Sequence, residues 1–172
     1  MSQPIEERPR IRDAKAEDLD DVALLIRDAY QEYQAYFPPE VWEGYARDIM
    51  DVRSRLDASE LIVAENAGRL VGAVTFYPNE TPSDQGVWPA GWTGVRLLAV
   101  HPDARGMGIG RLLMDECLRR SRLRSAPTLG LHTTELMAVA RGMYERMGFV
   151  RVPEFDFQPG PGLVVMAYRL DL

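Results

Sequence analysis

The chain has 172 residues, 46% hydrophobic and 27% charged, with a formal net charge of −6. That length carries one good core and is short for two, and the acidic balance argues against a nucleic-acid partner gripped by a basic surface. No apolar run approaches the ~20 residues of a membrane span, so no membrane partner is expected.

Residues 1–8 read as a flexible N-terminal arm without the apolar core of a signal peptide, and 9–172 as a single domain. Pro9 to Ala14 is a candidate first strand. Lys15-Ala-Glu-Asp then starts a helix in which Leu19, Val22, Ala23, Ile26 and Tyr30 recur at helical spacing. Pro38-Pro39 breaks the chain, and a second helix is predicted over Glu40 to Leu56 with Val41, Tyr45, Ile49 and Val52 on its core face. Leu61–Ala64 and Leu70–Phe76 form a hairpin about Asn66–Arg69. The connection from Pro78 to Gly91 is long and proline-rich, the kind of segment that often serves as a lid.

Strand Gly94–Val100 leads into a glycine-opened helix over 108–122. Cys117 lies inside that helix among Leu113, Met114 and Leu118. As the lone cysteine it offers no disulfide or cysteine-spaced metal site, so it reads as a small buried hydrophobe in a cytoplasmic protein without metal. Thr128–Thr133 is the next strand. Leu136, Val139, Ala140, Met143 and Met147 mark a further helix closed by Gly148. Phe149–Val152 and Leu163–Leu170 are closing strands separated by a Pro153–Gly162 loop, and the last is taken as an edge on which a homodimer could pair. The order β-α-α-β-β-β-α-β-α-β-β predicts a mixed α/β sheet in one domain.

Arg105-Gly106-Met107-Gly108-Ile109-Gly110 is the most informative stretch. Three glycines at alternate positions remove Cβ atoms where a helix begins, and the first N–H groups of a helix have no internal partner. With the dipole's positive end beside them, they make a phosphate site. A P-loop is excluded because no lysine follows the glycines. A dinucleotide fold is excluded by the Gly-x-Gly-x-Gly spacing and the position past mid-chain.

Arg105-x-x-Gly108-x-Gly110, preceded by Leu98-Ala-Val-His-Pro102, resembles the acetyl-CoA signature of the GNAT superfamily of N-acetyltransferases. Ala140-Arg-Gly-Met-Tyr-Glu-Arg-Met-Gly-Phe149 is similar to the same family's later helix, and the resemblance spans roughly residues 10–170. It implies a GNAT-like, mostly antiparallel sheet flanked by about four helices, with acetyl-CoA as co-substrate. It further implies that backbone groups of Leu98, Ala99 and Val100 pair with the pantetheine arm beside a bulge. The N–H groups of Arg105, Gly106, Met107, Gly108, Ile109 and Gly110 would hold the pyrophosphate. The Arg105 side chain would add charge or fix the loop, and Arg111 is a further candidate or a solvated helix residue. Tyr144 matches the tyrosine that faces the thioester sulfur. Met137 departs from the pattern, since many members carry asparagine there.

The implied reaction is acetyl transfer to a primary amine of a small molecule or peptide by direct attack in a ternary complex. A longer acyl donor and a catalytically silent CoA-binding domain of the same fold are the alternatives. An acceptor amine of pKa about 10.4 is mostly protonated at neutral pH, so its proton must be removed. His101, Glu135 and a water path are the candidates, while His132 reads as a core histidine. Aromatic residues on the first two helices, with Trp88 and Trp92 on the long connection, are candidate acceptor walls, and that connection a candidate gate.

Overall fold

The computed structural model describes residues 8–79, 88–160 and 162–172. Among these, the elements run β1 (Arg10–Asp13), α1 (Leu19–Tyr30), α2 (Pro39–Met50), β2 (Glu60–Asn66), β3 (Arg69–Tyr77), β4 (Thr93–Val100), α3 (Ile109–Leu123), β5 (Thr128–Thr133), α4 (Ala138–Arg146), β6 (Val150–Arg151), β7 (Phe157–Gly160) and β8 (Leu163–Asp171). The arm before Arg8 and the middle of the long connection, 80–87, lie outside the described residues.

One open sheet organises the chain in the order β1-β2-β3-β4-β5-β8-β6, with β7 also paired to β8. All neighbours are antiparallel except β4 and β5, which run parallel. The sheet separates two cores. On one face Ile109, Leu113, Met114 and Cys117 of α3 and Tyr144 of α4 pack on Ile62, Val74, Leu129 and Leu131. On the other, Val22, Ile26 and Tyr30 of α1 and Trp42 and Ile49 of α2 pack on Val63, Ala73, Leu97 and Ala99. Strand alternation produces this division, because successive side chains point to opposite faces. Cys117 is fully buried, as its apolar neighbours predict.

Several boundaries differ from the expectations. The second helix ends at Met50 instead of Leu56, and residues 53–55 form a 3-10 turn. The cause is Arg55, which folds back so that Nη1 donates to Asp48 O and Nη2 to Ile49 O, both at 2.8 Å. These bonds satisfy carbonyls that a helix end leaves open. Trp42, not Val41, faces the core; Val41 is exposed. In α4 the expected stripe fails at Val139, which is 88% exposed, whereas Tyr144 is the buried residue of that helix. Gly148 closes α4 at φ 97 as expected.

The Pro153–Gly162 segment is not a plain loop, since it contains β7. Its Pro159 is tolerated because β7 pairs only with β8 and forms an edge. β8 is therefore an interior strand, bonded to β5 on one side and to β6 and β7 on the other. The open-edge basis for a homodimer falls with it.

Candidate functional site

The parallel pair β4–β5 is short. Thr93, Gly94 and Val95 match Leu129, Gly130 and Leu131, and the pairing stops there. From Arg96 to Val100 the β5-facing edge of β4 has no strand beside it, although β3 still pairs on the other side. A bulge sits at the parting. Ala73 pairs with Ala99 and Thr75 with Arg96, so Leu97 and Leu98 together face Val74. Leu97 adopts φ 55, a conformation an L side chain rarely takes. Bulges of this kind bend a strand and re-aim its polar groups, often beside a site. Tyr30 fixes this one from outside the sheet, its hydroxyl donating to the Leu98 carbonyl at 3.2 Å.

The glycine turn follows directly. Gly106 and Gly108 have φ 78 and 75, and a Cβ built on either would meet nothing within 4 Å. The glycines are thus required by the backbone and leave open space above it. Gly108 is the N-cap of α3, and the helical ladder begins with Leu112 N–H to Gly108 O at 3.1 Å. The N–H groups of Ile109, Gly110 and Arg111 precede any intrahelical bond. Gly110 lies against Leu98, Val100 and Met143, which joins the turn to the unpaired edge of β4 and to α4.

The arginines behave differently from the backbone. Arg105 donates from Nη2 to Ala29 O at 2.9 Å and pairs with Glu32 at 3.0 Å, so its side chain ties the turn to the end of α1. Arg111 bonds Asp115 at 2.9 Å across one helical turn on an exposed surface. Met107 is exposed beside them.

Tyr144 is buried, its ring 5.9 Å from that of Phe149, and among the described residues its hydroxyl has no hydrogen-bond partner. Burial, reinforced by the nearby Cys117 and Tyr33, pushes its pKa above the ordinary phenol value. The phenols of Tyr33 and Tyr45 are each pushed up to about 12, chiefly by burial. Tyr30 is raised by burial and by Tyr45, Tyr144 and Tyr33. The Tyr30 ring contacts those of Tyr33 and Tyr45 at 5.8 and 6.4 Å on the α1–α2 face, while Tyr144 packs in the α3-side cluster.

The other candidates lie apart from this arrangement or are absorbed by packing. His101 follows β4, where Nδ1 accepts from Asp103 N at 3.2 Å and Nε2 lies 3.1 Å from Arg69 Nη2. Glu135 is exposed on the turn after β5. Met137 packs against the α1–α2 cluster. His132 stacks on Trp88 at 4.5 Å with Nε2 3.0 Å from Phe155 O, and burial lowers its pKa. Trp88 is 3% exposed and lies flat on Gly130, where an added Cβ would come within 2.7 Å of the indole. Trp88 is thus a cover for the sheet and not an open wall, because a glycine on β5 gives it a seat. Trp92 stacks on it at 5.5 Å.

Sequence reasoning missed the Tyr30–Leu98 bond and a guanidinium cluster of Arg55 and Arg96 about Asp48. Arg96 Nη2 donates to Asp48 Oδ2 at 3.0 Å. No local pattern announces partners 68 and 48 positions apart.

Among the described residues, no cluster of histidine, cysteine and carboxylate side chains is disposed to hold a metal, and no helix is long and apolar enough to cross a membrane. The description "acetyltransferase (GNAT) family" matches residues 26–149. An uncharacterized N-acetyltransferase of Schizosaccharomyces pombe is 24% identical over 156 residues, covering 91% of this chain and 90% of that one. A mycothiol acetyltransferase of Thermomonospora curvata is 34% identical over 114 residues, 63% of this chain and 35% of that one. In three dimensions the fold is similar to the PaiA N-acetyltransferase of Thermoplasma acidophilum, crystallised in complex with coenzyme A. The TM-score is 0.73 at 17% identity, over 95% of this chain and 99% of that one.

Proposed function

Because the chain belongs to the acetyltransferase (GNAT) family, we propose that it transfers an acetyl group from acetyl-CoA to a primary amine by direct attack in a ternary complex. One observation carries this reading: the unpaired edge of β4 at Leu98–Val100 runs into a turn where a Cβ at Gly106 or Gly108 would meet nothing within 4 Å, at the start of a helix whose first N–H groups precede its hydrogen-bond ladder. An extended amide-bearing arm fits an unpaired strand edge, and a pyrophosphate fits a helix N-terminus opened by glycine.

The bound thioester supplies an activated acetyl group and a thiolate leaving group. The chain's own residues bind, orient and move protons. Leu98, Ala99 and Val100 offer backbone groups to the pantetheine amides. Gly106, Met107, Gly108, Ile109 and Gly110 offer N–H groups to the pyrophosphate, whereas the Arg105 N–H, expected to join them, is given to Pro102 O at 3.4 Å. Arg105 acts by holding the turn to Ala29 and Glu32, and Arg111 remains a helix-surface residue paired to Asp115. Tyr144, kept protonated by its burial, is a donor suited to a departing thiolate, whose conjugate acid has pKa about 8.5. The amine proton is assigned to cleft water, because His101 is engaged by its own turn and Glu135 is solvent-exposed. A cytoplasmic location fits this co-substrate and the lone buried thiol.

Calorimetry with acetyl-CoA tests the donor site, and thiol release across an amine panel tests transfer. Binding without release from any amine would instead favour the silent CoA-binding domain. Absence of binding would remove the reading altogether.

A further inference from the structure

Arg96 occupies a particular place in the sheet. It is the first β4 residue beyond the last matched pair, Val95↔Leu131. Its neighbours in sequence fix its direction. Thr93 reaches Ser121 of α3 and Val95 belongs to the α3 core, so by alternation Arg96 points to the other face, toward α2. The donor's features, Gly106–Gly110 and the Leu98 and Val100 side chains, lie on the α3 face. An amine approaching the parting of β4 and β5 from the opposite face meets Arg96.

The guanidinium is only partly committed, its side chain 26% exposed. Among the described residues its one hydrogen bond joins Nη2 to Asp48, and that aspartate is 54% exposed and so exchangeable. Its Nη1 is buried without a partner. Behind it lies Arg55, buried and bonded to backbone carbonyls at the end of α2, with Nε also buried and unpartnered. Both guanidinium groups converge on Asp48, Arg55 on its carbonyl at 2.8 Å and Arg96 on its carboxylate at 3.0 Å. Two guanidinium groups side by side, one lacking a carboxylate of its own, create a positive corner in a chain of net charge −6. Guanidinium presents a fork matched to carboxylate oxygens.

We propose that Arg96, backed by Arg55, is the carboxylate-binding corner of the acceptor side, so that the amine acetylated here is a small molecule that also carries a carboxylate, as a free amino acid does. This rests on the proposed acetyl transfer. The acceptor carboxylate takes the place of Asp48 on Arg96, which leaves the amine free to reach into the gap between β4 and β5. Tyr45 stands one helical turn before Asp48 on α2.

The test compares free amino acids with their methyl esters as acceptors, following thiol release, and titrates N-acetyl amino acids into the protein without acetyl-CoA by calorimetry. The acids should exceed their esters in kcat/KM by about tenfold or more, as expected where a polar contact is read by the site. Arg96→Ala should erase that preference and the calorimetric signal, Arg96→Lys should restore part of each, and Asp48→Asn should lower KM for the acids. Circular dichroism checks that each variant is folded, and acetyl-CoA binding should stay within about twofold of the parent. Esters used as well as acids, or N-acetyl amino acids bound equally by parent and Arg96→Ala, would overturn the carboxylate corner while leaving acetyl transfer in place. Failure of acetyl-CoA to bind the parent would instead bring down the transfer reading itself.

Discussion

The hydroxyl of Tyr30, the last residue of α1, donates to the carbonyl of Leu98 at the bulge of β4, 68 positions away. This single bond holds the strained Leu97–Leu98 segment from the face opposite α3. Tyr30→Phe removes this hydrogen bond, at about 1 kcal/mol. The expected outcome is a modest fall in Tm and a severalfold weaker acetyl-CoA Kd. A lower Tm with unchanged Kd would separate the bulge from cofactor binding.

Gly108→Val should abolish acetyl-CoA binding. The position has φ 75, which costs an L residue about 1–2 kcal/mol, and its branched side chain would enter the space above the turn. Calorimetry reads the effect directly, and retained binding would remove the turn from the donor site.

Tyr144→Phe should lower turnover by ~10²-fold or more, the usual scale of a positioned proton donor. The Kd for acetyl-CoA should move far less, because the ring and its packing on Phe149 remain. Turnover equal to the parent would take Tyr144 out of the mechanism.

Gly130→Ala should destabilise the fold without touching the donor turn. The new methyl would stand within 2.7–2.8 Å of the Trp88 indole, and overpacking of this kind costs about 1–3 kcal/mol. A drop in Tm that Trp88→Leu partly rescues is the expected pattern in a thermal melt.

Glu116 predicts where acid weakens the protein. Its hydrogen bonds to Arg119 and Arg120 hold its pKa down to about 2, against an ordinary 4.5. A carboxylate depressed in the folded state stabilises above its unfolded pKa, and that contribution disappears as pH falls from about 4.5 toward 2. Glu116→Gln should therefore narrow the stability difference between pH 6 and pH 3 in denaturant titrations. An unaltered difference would show that other carboxylates carry the acid response.

The sequence was most legible where one pattern recorded one cause. The apolar stripe of α1, the hairpin β2–β3 and the glycine turn all follow from short-range spacing, and the structure reproduces them. Long-range causes were hidden. Helix α2 stops at Met50 because Arg55 turns back onto it, which periodicity alone does not record. Val139 obeys the helical period yet faces outward, because α4 turns Tyr144 toward the core instead. Trp88 looked like a loop aromatic until Gly130 supplied a seat on another strand. In the Pro153–Gly162 segment, turn-forming residues concealed an edge strand that Pro159 does not disrupt.

The sheet also divides the molecule energetically. The apolar residues behind α3 and α4 and those beneath α1 and α2 form two clusters on its opposite faces. Substitutions in separate clusters without shared partners combine nearly additively. The α1–α2 half can therefore be rebuilt with little stability debt passed to the glycine turn, except at Ala29, Tyr30 and Glu32, where α1 and the segment after it bond Arg105 and Leu98. A chain so divided is well suited to laboratory evolution of one face while the other is held constant.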